Sequence, residues 1–247
     1  MRELESFFAR THQGPYLNLN EDSTYINLKQ KIFGVFDGFG GSGISDLNLE
    51  SVTKSIENYF TKLSGDPNAT MPYFYSPQYV LETNALVNAM MIAHKNLMAI
   101  NKKKEMKDKG GVSVALTMLS ENILSVVSCG NCVALLYRDG ALSQISAPDS
   151  PTQISTSDNT HHKSTFPLVA LGLYEEISPK IWEVNVMPHD KVILLSDGVY
   201  GSLSLNDIKR VVQELGPDEV TQIDGLFNFA NRKGNLDNQS AIIFSIL

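Results

Sequence analysis

Two short, almost continuously apolar runs lead directly to a carboxylate followed by glycine. Phe33-Gly34-Val35-Phe36 precedes Asp37-Gly38, and Val192-Ile193-Leu194-Leu195-Ser196 precedes Asp197-Gly198. Runs of this length and composition read as strands buried on both faces. A third run, Ser240-Ala241-Ile242-Ile243-Phe244, is introduced by Asp237-Asn238-Gln239, and Glu21-Asp22 stands just ahead of a predicted strand at residues 24–28. A carboxylate held where a core strand emerges is costly unless it is paired or metal-bound. Basic residues are scarce beside these four motifs, and no His or Cys accompanies them. An all-oxygen donor set of this kind suits Mg²⁺ or Mn²⁺ rather than Zn²⁺. Any single Asp before Gly or Asn reads equally well as a turn cap, but the shared context of the four favours one common site.

The remaining pattern places strands and helices in blocks. Strands are predicted at residues 24–28 and 32–36, and from Leu49 the residues Val52, Ile56, Tyr59 or Phe60, and Leu63 recur at helical spacing. After a loop containing Pro67, Pro72 and Pro77, a second helix is expected from residue 79 to about 101. Strands at 112–119, 123–128, 133–137 and 141–145 are joined by turns of two to four residues, including Arg138-Asp139-Gly140, which predicts antiparallel neighbours throughout. Residues 146–165 are polar and aperiodic and predict a mobile surface segment. Strands follow at 181–186 and 191–195, then a helix from Ser204 with Asp207 as a partial capping box, a helix with Pro217 in its first turn, and a closing strand at 241–247. Blocks of this kind favour an α+β architecture of antiparallel sheets covered by paired helices over a doubly wound parallel sheet.

Composition narrows the function classes. With 27 acidic against 20 basic residues and a net charge of -7, no broad basic face for nucleic acid is expected. A hydrophobic content of 43% is enough for a sizeable core. No apolar run approaches the roughly 18 residues of a membrane span, and the acidic start Met1-Arg2-Glu3-Leu4-Glu5 is unlike a signal peptide, so a cytoplasmic protein is expected. Cys129 and Cys132 are the only cysteines and build no disulfide framework. With neither linker nor repeat, residues 1–247 read as one domain.

Gly34-Val35-Phe36-Asp37-Gly38-Phe39-Gly40-Gly41 resembles the metal-binding signature of the metal-dependent serine/threonine protein phosphatases, the type 2C (PPM) family. Further matches run in the family's order: Asn20-Glu21-Asp22, Gly111-Val112-Ser113-Val114-Ala115, Val127-Ser128-Cys129-Gly130-Asn131 through Tyr137-Arg138-Asp139-Gly140, Ala170-Leu171-Gly172, Leu194-Leu195-Ser196-Asp197-Gly198-Val199, and Asp237-Asn238. The resemblance spans essentially the whole chain and points to the bacterial-like branch. It implies a four-layer α/β/β/α sandwich of two mainly antiparallel sheets flanked by helix pairs, with two Mn²⁺ or Mg²⁺ ions at one end. Asp37 would bridge both ions, Asp197 and Asp237 would complete the first, and Glu21 and the Gly38 carbonyl would serve the second, with Asp22 and Asn238 supporting the site. The implied reaction is hydrolysis of phosphoserine and phosphothreonine in proteins by a metal-bridged hydroxide, with no protein nucleophile. The implied setting is kinase-opposed signalling, with a phosphoprotein substrate of a serine/threonine kinase, no nucleic-acid partner and a monomeric chain.

Three positions depart from the family. Leu17 stands where a phosphate-binding Arg is usual, and Leu offers no bidentate donor. Phe39 replaces a residue that is often His or Met. Asn131 stands where an Asp helps hold a third ion, a weaker position for a cation because the charge is lost. Arg2 and Arg10 are candidate substitutes for the missing Arg. These departures keep open a second reading, a catalytically weak or inactive pseudophosphatase that binds a phosphoprotein or other partner. Two rival motifs are weaker. Gly38-Phe39-Gly40-Gly41-Ser42-Gly43 formally matches a dinucleotide fingerprint, but Asp37 would face the pyrophosphate. Cys129 and Cys132 would need His161 and His162 to hold zinc, and read instead as buried or turn cysteines.

Overall fold

A computed structural model of the chain describes residues 2–40, 45–65, 71–157, 160–165 and 167–247. One five-stranded sheet has the order β1 (Leu4–His12), β12 (Gln239–Ile246), β11 (Lys191–Leu195), β6 (Val133–Arg138) and β7 (Ala141–Gln144). The other has the order β10 (Lys180–Asn185), β5 (Ile123–Cys129), β4 (Gly110–Ser120), β3 (Ile32–Gly40) and β2 (Asp22–Asn27). Every pairing in them is antiparallel. Helices α1 (Ser45–Gly65) and α2 (Leu81–Asn101) cover the second sheet, while α3 (Asp197–Tyr200), α4 (Leu205–Glu214) and α5 (Glu219–Arg232) lie with the first. This is the expected α+β sandwich of four layers.

Strand alternation sorts the residues into those layers. In β3, Ile32 and Phe36 enter the core beneath α1 and α2, while Phe33 and Val35 enter the core between the sheets. In β11, Val192 and Leu194 face the other sheet, and Ile193 and Leu195 face α4 and α5. β12 does the same with Ile242 and Phe244 against Ala241 and Ile243. Phe33 and Phe244 stack across the inter-sheet space with ring centroids 4.2 Å apart.

Several sequence expectations are corrected. The strand β1 was not foreseen: its alternation is interrupted by a register shift between Leu4 and Ser6. Strand β3 does not stop before Asp37; it runs on to Gly40, because Asp37, Gly38, Phe39 and Gly40 continue to pair with Ser113, Val112, Gly111 and Gly110. The short Gly130-Asn131-Cys132 turn does not join antiparallel neighbours, since β5 and β6 lie in different sheets. Gly130 makes the crossing with φ of +99°, and a Cβ there would stand 2.3 Å from Ser113 Oγ. Within the segment read as irregular, β8 (Thr152–Ser157) and β9 (Thr160–Thr165) form a separate two-stranded hairpin. Helix α4 carries the full capping box between Ser204 and Asp207, whereas Asp218, not Pro217, caps α5, leaving Pro217 just outside it. Gly41, Ser42, Gly43 and Pro67 lie outside the described residues, as do the side chains of His161 and His162.

Candidate active site

The same alternation brings the acidic motifs together. Asp37 has the parity of Phe33 and Val35, so its carboxylate emerges from the inter-sheet core at one end of the sandwich. Asp22 is its register partner on β2. Ser196 continues the inward row of Val192 and Leu194, and its hydroxyl donates to Asp22 Oδ2 at 2.6 Å. Ser240, inward on β12, donates its N–H to Ser196 Oγ at 2.9 Å. Asp22 is therefore bonded across the two sheets rather than left pointing to solvent, and it is buried.

The loops are fastened to these strand ends. The Gly38 N–H donates to the Glu21 carbonyl at 2.7 Å, setting Glu21 beside Asp37-Gly38 in the last part of β3. Asn238 Oδ1 accepts from the Glu21 N–H at 2.8 Å, while its Nδ2 donates to the carbonyls of Gln13 and Leu19. Asn238 thereby ties the end of β12 to the connection between β1 and β2. Gly198 lies so close to this connection that a Cβ would stand 1.7 Å from Asn238 O. The glycine after Asp197 is a packing requirement that brings Asp197 against Asp237-Asn238. Asp237 itself is exposed at the rim, its Oδ1 accepting from the Asn238 N–H at 2.8 Å.

Electrostatics show that the carboxylates share one environment. Burial, followed by the charges of Asp197, Asp22 and Asp237, raises Asp37 well above the usual carboxylate range. Burial also raises Asp22, against the Ser196 hydrogen bond and with repulsion from Asp197 and Asp237. Burial and then Asp237 push Asp197 up to about 7. Among the described residues no Lys or Arg pairs with Asp22, Asp37, Asp197 or Asp237.

Sequence reasoning missed the groups that hold Asp197. Asn131 Nδ2 donates to Asp197 Oδ2 at 2.8 Å, and the Thr165 hydroxyl donates to the same oxygen. Asn131 also lowers the proton affinity of both Asp37 and Asp197 by hydrogen bonding. Ser196, which holds Asp22, was missed as well, and its parity with Val192 and Leu194 is the signal that could have found it; Thr165 was hidden in the segment read as irregular.

As the side chains stand, no group of three or more Asp, Glu, His or Cys among the described residues converges tightly enough to hold an ion. The chemistry of the set nevertheless fits one: all donors are oxygens, and among the described residues no ion pair offsets the repulsion among Asp22, Asp37, Asp197 and Asp237. Two buried oxygens at the same end, Asn131 Oδ1 and Ser113 Oγ, also lack a hydrogen-bond partner. Ser113 is the β4 register partner of Asp37.

No protein-family model matches the chain. It is 22% identical over 249 residues to the serine/threonine protein phosphatase PstP of Mycobacterium tuberculosis, covering 98% of this chain and 45% of that protein. The solved PPM Ser-Thr phosphatase MsPP of Mycobacterium smegmatis, in complex with cacodylate, superposes with a TM-score of 0.76 at 18% identity and covers 98% of both chains. The PstP catalytic domain, solved with two manganese ions, gives 0.74 at 19% identity, again over 98% of both. In sequence the chain is similar to these type 2C phosphatases, and it shares their fold. It spans about half the length of the curated PstP proteins it matches.

The three positions at which the sequence departs from the pattern it resembles can be placed in the structure. Leu17 is exposed in the connection between β1 and β2. Neither candidate substitute reaches the site. Arg10 has the parity of Phe8, which packs toward α5, and it pairs with Asp224 of that helix. The Arg2 N–H donates to Glu121 O, at the opposite end of β4 from Ser113. Phe39 lies over Gly111, where a Cβ would stand 2.8 Å from its ring, with Leu173 against the same glycine. Cys129 and Cys132 enter different cores, and burial pushes the Cys129 thiol up to about 12, a buried and unreactive state. No described helix is long and apolar enough to cross a membrane.

Proposed function

We propose that residues 1–247 form one phosphatase domain that removes phosphate from phosphoserine and phosphothreonine in proteins at a binuclear Mn²⁺ or Mg²⁺ site. The observation that carries this reading is the gathering of Asp22, Asp37, Asp197 and Asp237 from separate strand ends into one environment, where the first three are each raised by burial and then by the charge of at least one other member of the four. When bound, the cations would lower the pKa of a water and offset charge on the phosphoryl oxygens. Asp37 would touch both ions, Asp197 and Asp237 the first, and Glu21 and the Gly38 carbonyl the second. Closing the carboxylates on the ions requires side-chain rotation, most easily at exposed Asp237. Asp22 and Asn238 brace the strand ends and the Glu21 loop, and Phe39 gives the site an apolar wall. The substrate would be a product of a serine/threonine kinase, and the chain a cytoplasmic monomer acting in signalling. The acidic balance is consistent with a protein rather than a nucleic-acid substrate.

Two observations favour the second reading. Asn131 presents an amide N–H to Asp197 where the family presents a carboxylate, and Leu17 supplies no donor for phosphate. A pseudophosphatase would bind its partner without turnover. Assaying an activated aryl phosphate and a phosphothreonine peptide with Mn²⁺, alongside D37A and D197A, decides between them. Mn²⁺-dependent release of phosphate that both substitutions abolish supports the enzyme. Mn²⁺ binding by folded protein without turnover of either substrate supports the pseudophosphatase.

A further inference from the structure

The β8–β9 hairpin pairs with neither large sheet. Thr165, the last residue of β9, nevertheless joins it to the candidate site. Its hydroxyl donates to Asp197 Oδ2 and accepts from Asn131 Nδ2 at 3.2 Å. Asn131 Nδ2 donates to that same carboxylate oxygen, and the Tyr200 hydroxyl donates to the Asn131 carbonyl at 2.5 Å. One oxygen of Asp197 is thus held by two donors, one from the turn between the sheets and one from the hairpin.

We propose that Asn131 and Thr165 are positioning residues that hold Asp197 for the first cation and thereby couple the β8–β9 hairpin to cation binding. The proposal rests on the phosphatase reading above and deepens it. A carboxylate offers about four lone-pair sites on two oxygens, so the two side-chain donors on Oδ2, together with the Gly198 N–H that also bonds this carboxylate, leave a lone pair for a cation. Groups that hold a ligating carboxylate are typically worth about 10–100-fold in metal affinity. Linkage makes the effect reciprocal: if the docked hairpin strengthens cation binding, the cation holds the hairpin docked by the same factor. The amide at 131 is essential to this arrangement. An ionised Asp there has no N–H to donate and would set another negative charge beside Asp37 and Asp197. The departure from the family therefore carries its own role, as a donor in place of a further acid.

The test is calorimetric Mn²⁺ titration of the full chain, paired with amide hydrogen exchange in residues 152–157 and 160–165 with and without Mn²⁺. For the wild type, Mn²⁺ should slow exchange in the hairpin. T165V, which keeps the shape and loses the hydroxyl at a part-exposed position, should weaken Mn²⁺ binding about tenfold and abolish that slowing. T165S should restore both, and N131A, which removes the amide donor without adding a charge, should weaken the first Mn²⁺ as T165V does. T165V with wild-type affinity, or a hairpin indifferent to Mn²⁺, would overturn the coupling. D37N separates the two layers of the argument. If D37N loses Mn²⁺ binding while T165V does not, the coupling fails and the site stands; if D37N binds Mn²⁺ as the wild type does, the site itself fails.

Discussion

Asp197 carries the most chemical consequence of any single residue in the chain. Its carboxyl is pushed up to about 7 by burial and then by Asp237, against about 3.9 in an unfolded chain. A group raised in this way binds its proton more tightly when folded. Its contribution to stability is fully present below about pH 4 and is lost as pH rises through about 7. Asp22 and Asp37, raised for the same reasons, act in the same direction. The metal-free protein should therefore melt at progressively lower temperature between about pH 5 and about pH 8, and saturating Mn²⁺ should flatten that slope by favouring the ionised forms. A melting temperature that rises across this range without Mn²⁺ would contradict the assignment. Leu17 supports a second expectation at this scale. It is exposed, so Leu17→Arg should leave the melting temperature nearly unchanged while lowering KM for an aryl phosphate about tenfold, the worth of one charge-assisted hydrogen bond. An unchanged KM would show that position 17 does not face the phosphate.

At the scale of elements, periodicity carried most of the fold and failed where tertiary packing overrides local pattern. Both long helices were legible because their apolar residues recur at helical spacing, and most strands because they are short, nearly continuous apolar runs bounded by turns. The capping box at Ser204 was legible because its two side chains are local. Strand β1 was obscured by its register shift, and the hairpin by its polar composition. The β5–β6 crossing was misread because a turn of that length usually joins paired neighbours; here Gly130 and the core positions of Cys129 and Cys132 carry the chain from one sheet to the other. The acidic residues were legible one by one, while their bracing by Ser196, Thr165 and Asn131 needed the strands to be placed first. The junction of β11 with α3 is the element on which the site depends most. Gly198→Ala should force Asn238 away, costing about 1–3 kcal/mol of stability and weakening Mn²⁺ binding, both measurable by thermal melting and calorimetry. A variant that melts and binds like the wild type would show that the close approach does not position Asp237.

Across the whole molecule, the inter-sheet core sets how far apart the acidic strand ends can stand. Phe33 and Phe244 stack at its middle, each fully buried. Phe244→Ala should cost about 3–5 kcal/mol, and Mn²⁺ should recover part of the lost melting temperature because the ions bind only the folded state. No recovery would separate the ions from the fold. The chain's -7 charge also has a local meaning in this account: part of it is a cluster of acids whose repulsion two cations would offset. The most direct measurement is the initial rate of phosphate release from a phosphothreonine peptide by the wild type and D37A, each folded and at saturating Mn²⁺. The account predicts Mn²⁺-dependent release by the wild type and a loss in D37A beyond the roughly 100-fold upper range for removing a supporting group. Equal rates in the two proteins, or no release by Mn²⁺-bound wild type, would contradict it.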